Sequence, residues 1–358
     1  MHRTHPRDGA RKEPTTGNDF FITPERYDTI PHKSSEKGLP VKGQQVVGRF
    51  APTPSGRMHL GNAFSYLMAW LATRASGGRM VLRIEDLDPR AQNREAAQLI
   101  LDDLAWLGLD WDEGPYFQSR RADAYAEAIS RLDAMGLTYP CFCTRSELHA
   151  ATAPHASDGT YVYQGACRDL TRAEAARRAL ARPPATRVRV PDESDPASTV
   201  RFTDLVYGPR EENLARECGD FLVRRSDGIV AYQLAVVVDD GLMGVNQVVR
   251  GNDLLGSVAR QTYLHRLLGY AVPSFAHVPL FVTPDGRRLS KRDRDLDLGV
   301  IREREQGPER IIGILAHAVG LAEKNEHISA DKLVSRFAWE TLANQRENIV
   351  VDGEFLTQ

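Results

Sequence analysis

The chain lacks any apolar run near the length of a membrane span, so a helix through a bilayer is excluded and no membrane partner is expected. Cysteine is scarce, at 4 residues in 358. A disulfide framework is therefore excluded, and a reducing cytoplasm is the expected setting. Charge of either sign is not in excess: 46 Lys and Arg stand against 48 Asp and Glu, a net of -2. Nonspecific attraction to nucleic acid by bulk charge is excluded, while a local basic groove is not. There is no GxxxxGK[ST] run, no GxGxxG after a strand and no nucleophile elbow, so neither a common nucleotide fingerprint nor an acyl-enzyme site is written in the chain. Internal repeats are also absent.

What is present begins with Arg49-Phe50-Ala51-Pro52-Thr53-Pro54-Ser55-Gly56-Arg57-Met58-His59-Leu60-Gly61-Asn62. The apolar run Val46 to Phe50 reads as a strand, and Pro52 and Pro54 end it because proline has no N–H to give a sheet. A helix starts near His59, with Phe64, Leu67, Met68 and Leu71 at spacings of three and four, and Gly77-Gly78 closes it. Strand, small-residue loop and helix N-terminus make a phosphate seat, since free N–H groups and the positive end of the helix dipole face the strand's carboxyl end. Thr53, Ser55, His59 and Asn62 can donate or accept hydrogen bonds around one point.

A second strand, Arg79 to Glu85, leads to the acidic corner Asp86-Leu87-Asp88-Pro89; Glu85, with Asp86 and Asp88, reads either as a capped and solvated turn before the next helix or as a ligand-facing group. Glu85 falls at a strand's carboxyl end, where open α/β sheets bind ligands. Helices follow at 94–107 and from about Arg121 to Met135, and the alternation argues for a doubly wound parallel sheet. Residues 139–215 break the rhythm with three of the cysteines, an Ala/Arg-rich helix near 171–182 and strand candidates at 187–190 and 199–207. The rhythm resumes at Gly228 and continues through the strand Val245 to Arg250, a helix from Leu254 to Leu268, and a strand-like His277 to Phe281. A polar Asp285-Gly286 hairpin then carries Arg288, Leu289, Ser290 and Lys291. Further helices are read at 308–319 and 330–338. A lysine on such a loop can close on a triphosphate and neutralise charge as pyrophosphate leaves.

Arg49 to Gly56, His59-Leu60-Gly61-Asn62, Arg83-Ile84-Glu85-Asp86, Tyr232-Gln233-Leu234-Ala235 and Leu289-Ser290-Lys291 together resemble the ordered signatures of the class I glutamyl-tRNA synthetases. Within that superfamily, Tyr232 to Asp240, Val249 to Leu255 and the short C-terminal part are most similar to the truncated glutamyl-Q branch. The resemblance implies an α/β fold: a class I synthetase Rossmann-like parallel sheet, an inserted zinc-bearing α+β domain and a short helical C-terminal part. The expected organisation is a disordered extension at 1–44, a first catalytic half at 45–138, the acceptor-like zinc insertion at 139–218, a second catalytic half with the lysine loop at 219–292, and a helical segment at 293–358.

The activity it implies is formation of glutamyl-adenylate from L-glutamate and ATP with Mg2+, then transfer to the queuosine of tRNA(Asp), by a monomer. By motif position Arg49, Phe50, Ala51, Pro52, Thr53, Glu85, Tyr232 and Arg250 hold glutamate. His59, Asn62, Leu289 and Lys291 hold ATP, and His59, Asn62, Ser290 and Lys291 take the catalytic roles. Two arginines suit two carboxylates, and Glu85 suits an ammonium. The sequence departs from the motifs at Asn62, where a second histidine is usual, at Arg288, where a lysine is usual, and at Val236, where full-length enzymes tend to carry asparagine.

Cys141, Cys143 and Cys167 suggest a structural zinc site on spacing alone, which needs a fourth ligand. His149, His155 and Tyr161 are candidates by proximity; the resemblance implies Tyr163. The remaining alternatives are a full glutamyl-tRNA synthetase, for which the residues beyond Arg292 are too few for an anticodon-binding domain, and a catalytically silent paralogue.

Overall fold

The computed structural model describes residues 44–144, 147, 162–289, 296–352 and 355–357. Residues 1–43 of the expected extension, the candidate ligands His149, His155 and Tyr161, and Ser290 and Lys291 lie outside the described residues.

The first strand, β1 (Val47–Phe50), is buried along its whole length and feeds α1 (Leu60–Ala75). β2 (Arg79–Ile84) pairs parallel with β1, and β3 (Glu113–Phe117) pairs parallel with β2, after α2 (Arg94–Trp106). α1 lies close against β1 because Gly48 has no side chain: a Cβ there would stand 2.0 Å from Thr73 Oγ1. The β3 strand was not anticipated, since Glu-Gly-Pro-Tyr-Phe shows no alternation and contains both strand breakers. Asp86 also departs from the reading of a solvated corner. It is buried and accepts hydrogen bonds from Ser119 N (2.8 Å) and Ser119 Oγ (2.6 Å), tying the end of β2 to the end of β3.

After α3 (Ala122–Ala134), the chain leaves this sheet. β4 (Thr138–Cys141), β5 (Ala185–Val188) and β8 (Phe221–Arg224) form a small antiparallel sheet, and α4 (Arg172–Ala179) lies on the connection between β4 and β5. The strand candidate at 199–207 is a hairpin, β6 (Thr199–Asp204) and β7 (Gly208–Asn213), and it goes elsewhere. It extends the second parallel set, whose order is β7-β6-β10 (Ser274–Val278)-β9 (Gln247–Gly251). The strands between 139 and 218 thus divide between two sheets.

That second set contains β9 (Gln247–Gly251) and β10 (Ser274–Val278), parallel to each other. Two helices belong with it: α5 (Tyr232–Leu242), which packs against α3 and β8, and α6 (Val258–Leu267), which packs against α5. Where the rhythm resumes at Gly228, Val230 makes an isolated bridge with Arg224 and Tyr232 opens α5. Leu234, Val237, Val238, Leu264, Tyr125 and Val188 share one apolar core, so this part of the chain is organised around α5.

No ladder joins β1 to β9 among the described residues, although they run side by side in the same sense. The junction is made by Asn246 and Arg49. Val47 N donates to Asn246 Oδ1 (2.8 Å), Asn246 N donates to Val47 O (3.1 Å), and Arg49 Nη1 donates to Val249 O (2.9 Å). The topological switch of the doubly wound sheet is therefore a seam of one backbone hydrogen bond and two side-chain ones.

β11 (Phe281–Val282) and β12 (Ile349–Val350) pair beyond β10, and Phe281 stacks on Phe64 of α1 at 4.8 Å. α7 (Leu298–Arg304) and α8 (Glu309–His317) follow. Buried Asp103 of α2 gathers the loop before α1 and the start of this C-terminal part, accepting from Arg57 Nη1 (3.0 Å) and Arg302 Nη1 (3.1 Å). No described helix is long and apolar enough to cross a membrane.

Candidate active site

A cleft of about 670 Å³ opens over the carboxyl ends of β1, β2 and β9. Arg49, Ala51, Pro52, Thr53, His59, Asn62, Glu85, Tyr232, Arg250 and Leu289 all line it, brought together from segments far apart in sequence. Phe50 does not line it. Its side chain alternates to the opposite side of the strand from Arg49, is fully buried, and meets Tyr66 edge-on with centroids 5.5 Å apart.

His59 caps α1. Its Nδ1 accepts from Asn62 N and its N–H donates to Asn62 Oδ1, both at 3.3 Å, so the pair forms a capping box. An imidazole that accepts at Nδ1 carries its proton on Nε2, and that donor edge is held in one orientation by the helix start. Asn62 accordingly acts here as the residue that orients His59. Gly61 tightens the arrangement, since a Cβ there would stand 3.2 Å from the His59 ring. The loop below is shaped by Pro52 O, which accepts from Glu85 N at 2.8 Å, and by Gly56, whose φ of 131° suits glycine alone.

Beneath the cleft lies a layer of buried charge. Arg83, with no exposed surface, donates through Nη1 to Asp240 Oδ1 (2.7 Å) and through Nη2 to Glu85 Oε1 (3.3 Å), with Nε 3.6 Å from Asp239 Oδ2. Asp239 is also held by Gln118, Arg121 and Tyr125. Burial pushes the Glu85 carboxyl above its ordinary range, opposed by Arg83 and Arg49. Burial lowers Arg49, which Asp240 partly offsets, while Arg83 and Arg250 lower it further.

Arg49 and Arg250 are each left short of a partner. Arg49 Nε and Arg250 Nη1 are buried without a hydrogen-bond acceptor, although Arg49 Nε lies 4.0 Å from Asp240 Oδ1, Arg250 Nε donates to His277 Nε2 (3.0 Å) and Arg250 Nη2 to Leu254 O (3.2 Å). Buried guanidinium N–H groups left in this condition fit an anion. Arg288, which also lines the cleft, is ion-paired with Asp253. Sequence reasoning missed Tyr66, Ser65, Asp253 and Phe281 in the lining. For Tyr66 a signal existed, since it lies one turn beyond Asn62 on α1.

His265 and His277 are both buried, and burial above all pushes each down to about 4 from 6.5. Protonation then favours the unfolded chain, so stability is full above pH 6.5 and is lost as pH falls toward 4. The expected slope approaches two protons, about 2.7 kcal/mol per pH unit. Urea unfolding between pH 7.5 and 5 measures it, and a His265→Gln/His277→Gln variant is expected to flatten the profile. A flat wild-type profile would contradict the assignment.

Away from the cleft, Cys141, Cys143 and Cys167 bring their Sγ atoms within 4.8 Å of one another, where they are placed to hold a metal ion. Cys143 Sγ stands 3.7 Å from Cys167 Sγ, and Tyr163 Oη stands 3.7 Å from Cys141 Sγ and 3.8 Å from Cys143 Sγ. A tetrahedral metal with bonds of about 2.3 Å to sulfur has sulfur–sulfur edges of about 3.8 Å, so the donor set fits. Arg187 stacks on the Tyr163 ring, 3.7 Å from its centroid, and donates to Cys141 Sγ at 3.2 Å. Burial disfavours the Cys141 thiolate, but Arg187 brings the thiol below its ordinary value.

A parallel sheet switching at β1 and β9, with a His-capped helix at the end of β1, defines a class I tRNA synthetase catalytic domain. The family of tRNA synthetases class I (E and Q), catalytic domain, matches residues 45–353. The chain belongs, within it, to the glutamyl-Q tRNA(Asp) synthetase family. It is 48% identical over 304 residues to the glutamyl-Q tRNA(Asp) synthetase of Symbiobacterium thermophilum, covering 82% of this chain and 92% of that one. It is 44% identical to the Deinococcus radiodurans protein of the same name, covering 81% and 95%. A glutamate tRNA ligase from Elizabethkingia meningosepticum shares the fold with a TM-score of 0.71 at 24% identity, over 87% of this chain and 68% of that one. The family read from the motifs is thus the family found.

Proposed function

We propose that this enzyme activates L-glutamate with ATP and transfers the glutamyl group to the queuosine base in the anticodon of tRNA(Asp). The observation that carries the first half is the pair of buried arginines in one cleft with Glu85: Arg250 Nη1 has no hydrogen-bond acceptor, and Arg49 Nε has none either, its nearest anion being Asp240 Oδ1 at 4.0 Å. Two cations for two carboxylates and one carboxylate for an ammonium describe a dicarboxylic amino acid. Thr53 and Tyr232 wall the amino acid, together with the Ala51-Pro52 backbone, and Phe50 supports that wall from the core.

In the first step a glutamate α-carboxylate oxygen attacks the α-phosphorus of ATP, and the bond to pyrophosphate breaks with its electron pair leaving on pyrophosphate. The step calls for positioning and charge neutralisation, not a covalent nucleophile. His59 at the start of α1 meets the phosphates, Asn62 holds its ring, Leu289 lines the cleft, and the motif gives Ser290 and Lys291 catalytic roles, the lysine charge neutralising pyrophosphate as it leaves. Mg2+, when bound to the phosphates, neutralises part of their charge. In the second step a hydroxyl of the queuosine cyclopentene-diol attacks the acyl carbon, an ester forms, and AMP leaves. Cys141, Cys143, Tyr163 and Cys167 hold a structural zinc in the region of 139–218, and the enzyme works as a cytoplasmic monomer. The choice of queuosine over the tRNA 3' end is supported by relatives named for it at 43–48% identity.

The test uses labelled glutamate, ATP and tRNA(Asp) with or without queuosine, each with or without the terminal adenosine. Labelling is expected to require queuosine and to survive loss of the adenosine. Labelling that follows the adenosine and ignores queuosine overturns the acceptor assignment.

A further inference from the structure

We infer that Asp204 and His277 are positioning residues for glutamate, acting as a buried carboxylate–imidazole relay that fixes the orientation of Arg250. The inference rests on the reading of the cleft given above and extends it to residues that do not line the cleft.

The relay crosses three neighbouring strands. His277 on β10 is in register with Arg250 on β9, and Asp204 ends β6 beside Phe275 of β10. His277 has no exposed surface and Asp204 almost none. Arg250 Nε can only donate, so His277 Nε2, at 3.0 Å, must accept. The ring proton is then on Nδ1, which donates to Asp204 Oδ2 at 2.6 Å. Asp204 is held in turn: its Oδ1 accepts from Val206 N (3.0 Å), Tyr207 N (2.9 Å) and His277 N (3.3 Å). Phe275 covers the assembly, nearly parallel to His277 (17°) and 5.6 Å from the Arg250 guanidinium carbon. With Nε fixed by His277 and Nη2 engaged by Leu254 O, the unpartnered Nη1 has one direction available.

This geometry makes a nearly isosteric substitution informative. In Asp204→Asn the three backbone N–H donors hold the amide oxygen at the Oδ1 position, so the amide nitrogen must replace Oδ2 and face His277 Nδ1. A donor there requires Nδ1 to accept, and the ring proton moves to Nε2. Two N–H groups, from His277 and Arg250, then oppose each other and the guanidinium must turn away. A purely structural role for Asp204 predicts no preference for one substrate.

The experiment measures glutamate-dependent ATP–pyrophosphate exchange for wild type, Asp204→Asn, His277→Ala and His277→Gln, with fold checked by circular dichroism. Asp204→Asn and His277→Ala are expected to raise the KM for glutamate about tenfold or more, with the KM for ATP within about twofold, because a hydrogen bond to a charged group is misaligned. Glutamine at 277 can accept from Arg250 and is expected to keep most of the glutamate affinity. Adding His277→Ala to Arg250→Met is expected to raise the glutamate KM no further, as two changes in one chain of contacts are not additive. Should Asp204→Asn fail to fold, His277→Ala against His277→Gln decides on the same readouts. An active wild type whose folded variants keep the wild-type KM for glutamate, or lose glutamate and ATP affinity together, overturns the relay alone. A wild type at background overturns the reading of the cleft, and the relay with it.

Discussion

Arg250→Met is expected to lower kcat/KM for glutamate in pyrophosphate exchange by about 100- to 1,000-fold. A charge-assisted hydrogen bond contributes about 1.5–3 kcal/mol, and a carboxylate held by a guanidinium fork loses up to two of them. The substitution also strips His277 Nε2 of the donor it faces at 3.0 Å, so part of the cost is an imidazole acceptor left buried. Arg250→Lys is expected to recover little. An ammonium is a point charge and cannot reach His277, Leu254 O and the cleft from one planar group. Steady-state exchange with glutamate and ATP varied separately measures the effect, and an unchanged glutamate KM in a folded Arg250→Met would count against Arg250 as a glutamate ligand.

The second large effect concerns stability. Arg83→Met is expected to cost about 3–5 kcal/mol, the usual result of removing one partner from a buried ion cluster. Arg83 is the cation shared by Asp239, Asp240 and Glu85, each within 3.6 Å of it and all largely buried. Without it, Arg121 still serves Asp239 at 2.6 Å, but Asp240 keeps only Arg49 at 4.0 Å. Adding Asp240→Asn to Arg83→Met is expected to restore part of the loss, since an amide there needs no counter-charge. Urea unfolding at pH 7 checks both; a loss under about 1 kcal/mol for the single variant would show that water or relaxation already screens the cluster.

Much of this was legible in the sequence because it depends on local chemistry. Pro52 and Pro54 end a strand whatever surrounds them, and a histidine three residues before an asparagine at a helix start can form a box by itself. The positions gathered in the cleft were recoverable for the same reason, each lying at the end of a readable strand or helix. Phe50 shares the motif with Arg49, but its side chain faces the core by one step of strand alternation. Adjacent residues in a strand face opposite ways, so a motif that includes both Arg49 and Phe50 cannot send both into one cleft. Glu113 to Phe117 was illegible because its parallel pairing with β2, not alternation, makes it a strand. The Asp204–His277–Arg250 chain was hidden for a different reason: 73 residues separate its first two members, and only pairing of β6 with β10 makes them neighbours.

The seam between β1 and β9 has a mechanical side. Arg49 stands on one half of the sheet and Arg250 on the other, so a dicarboxylate gripped by both would be a cross-brace over a joint that no ladder closes and one backbone hydrogen bond spans. Its binding free energy would then resist separation of the two halves, and the enzyme with its amino acid in place would be a stiffer body than the enzyme alone.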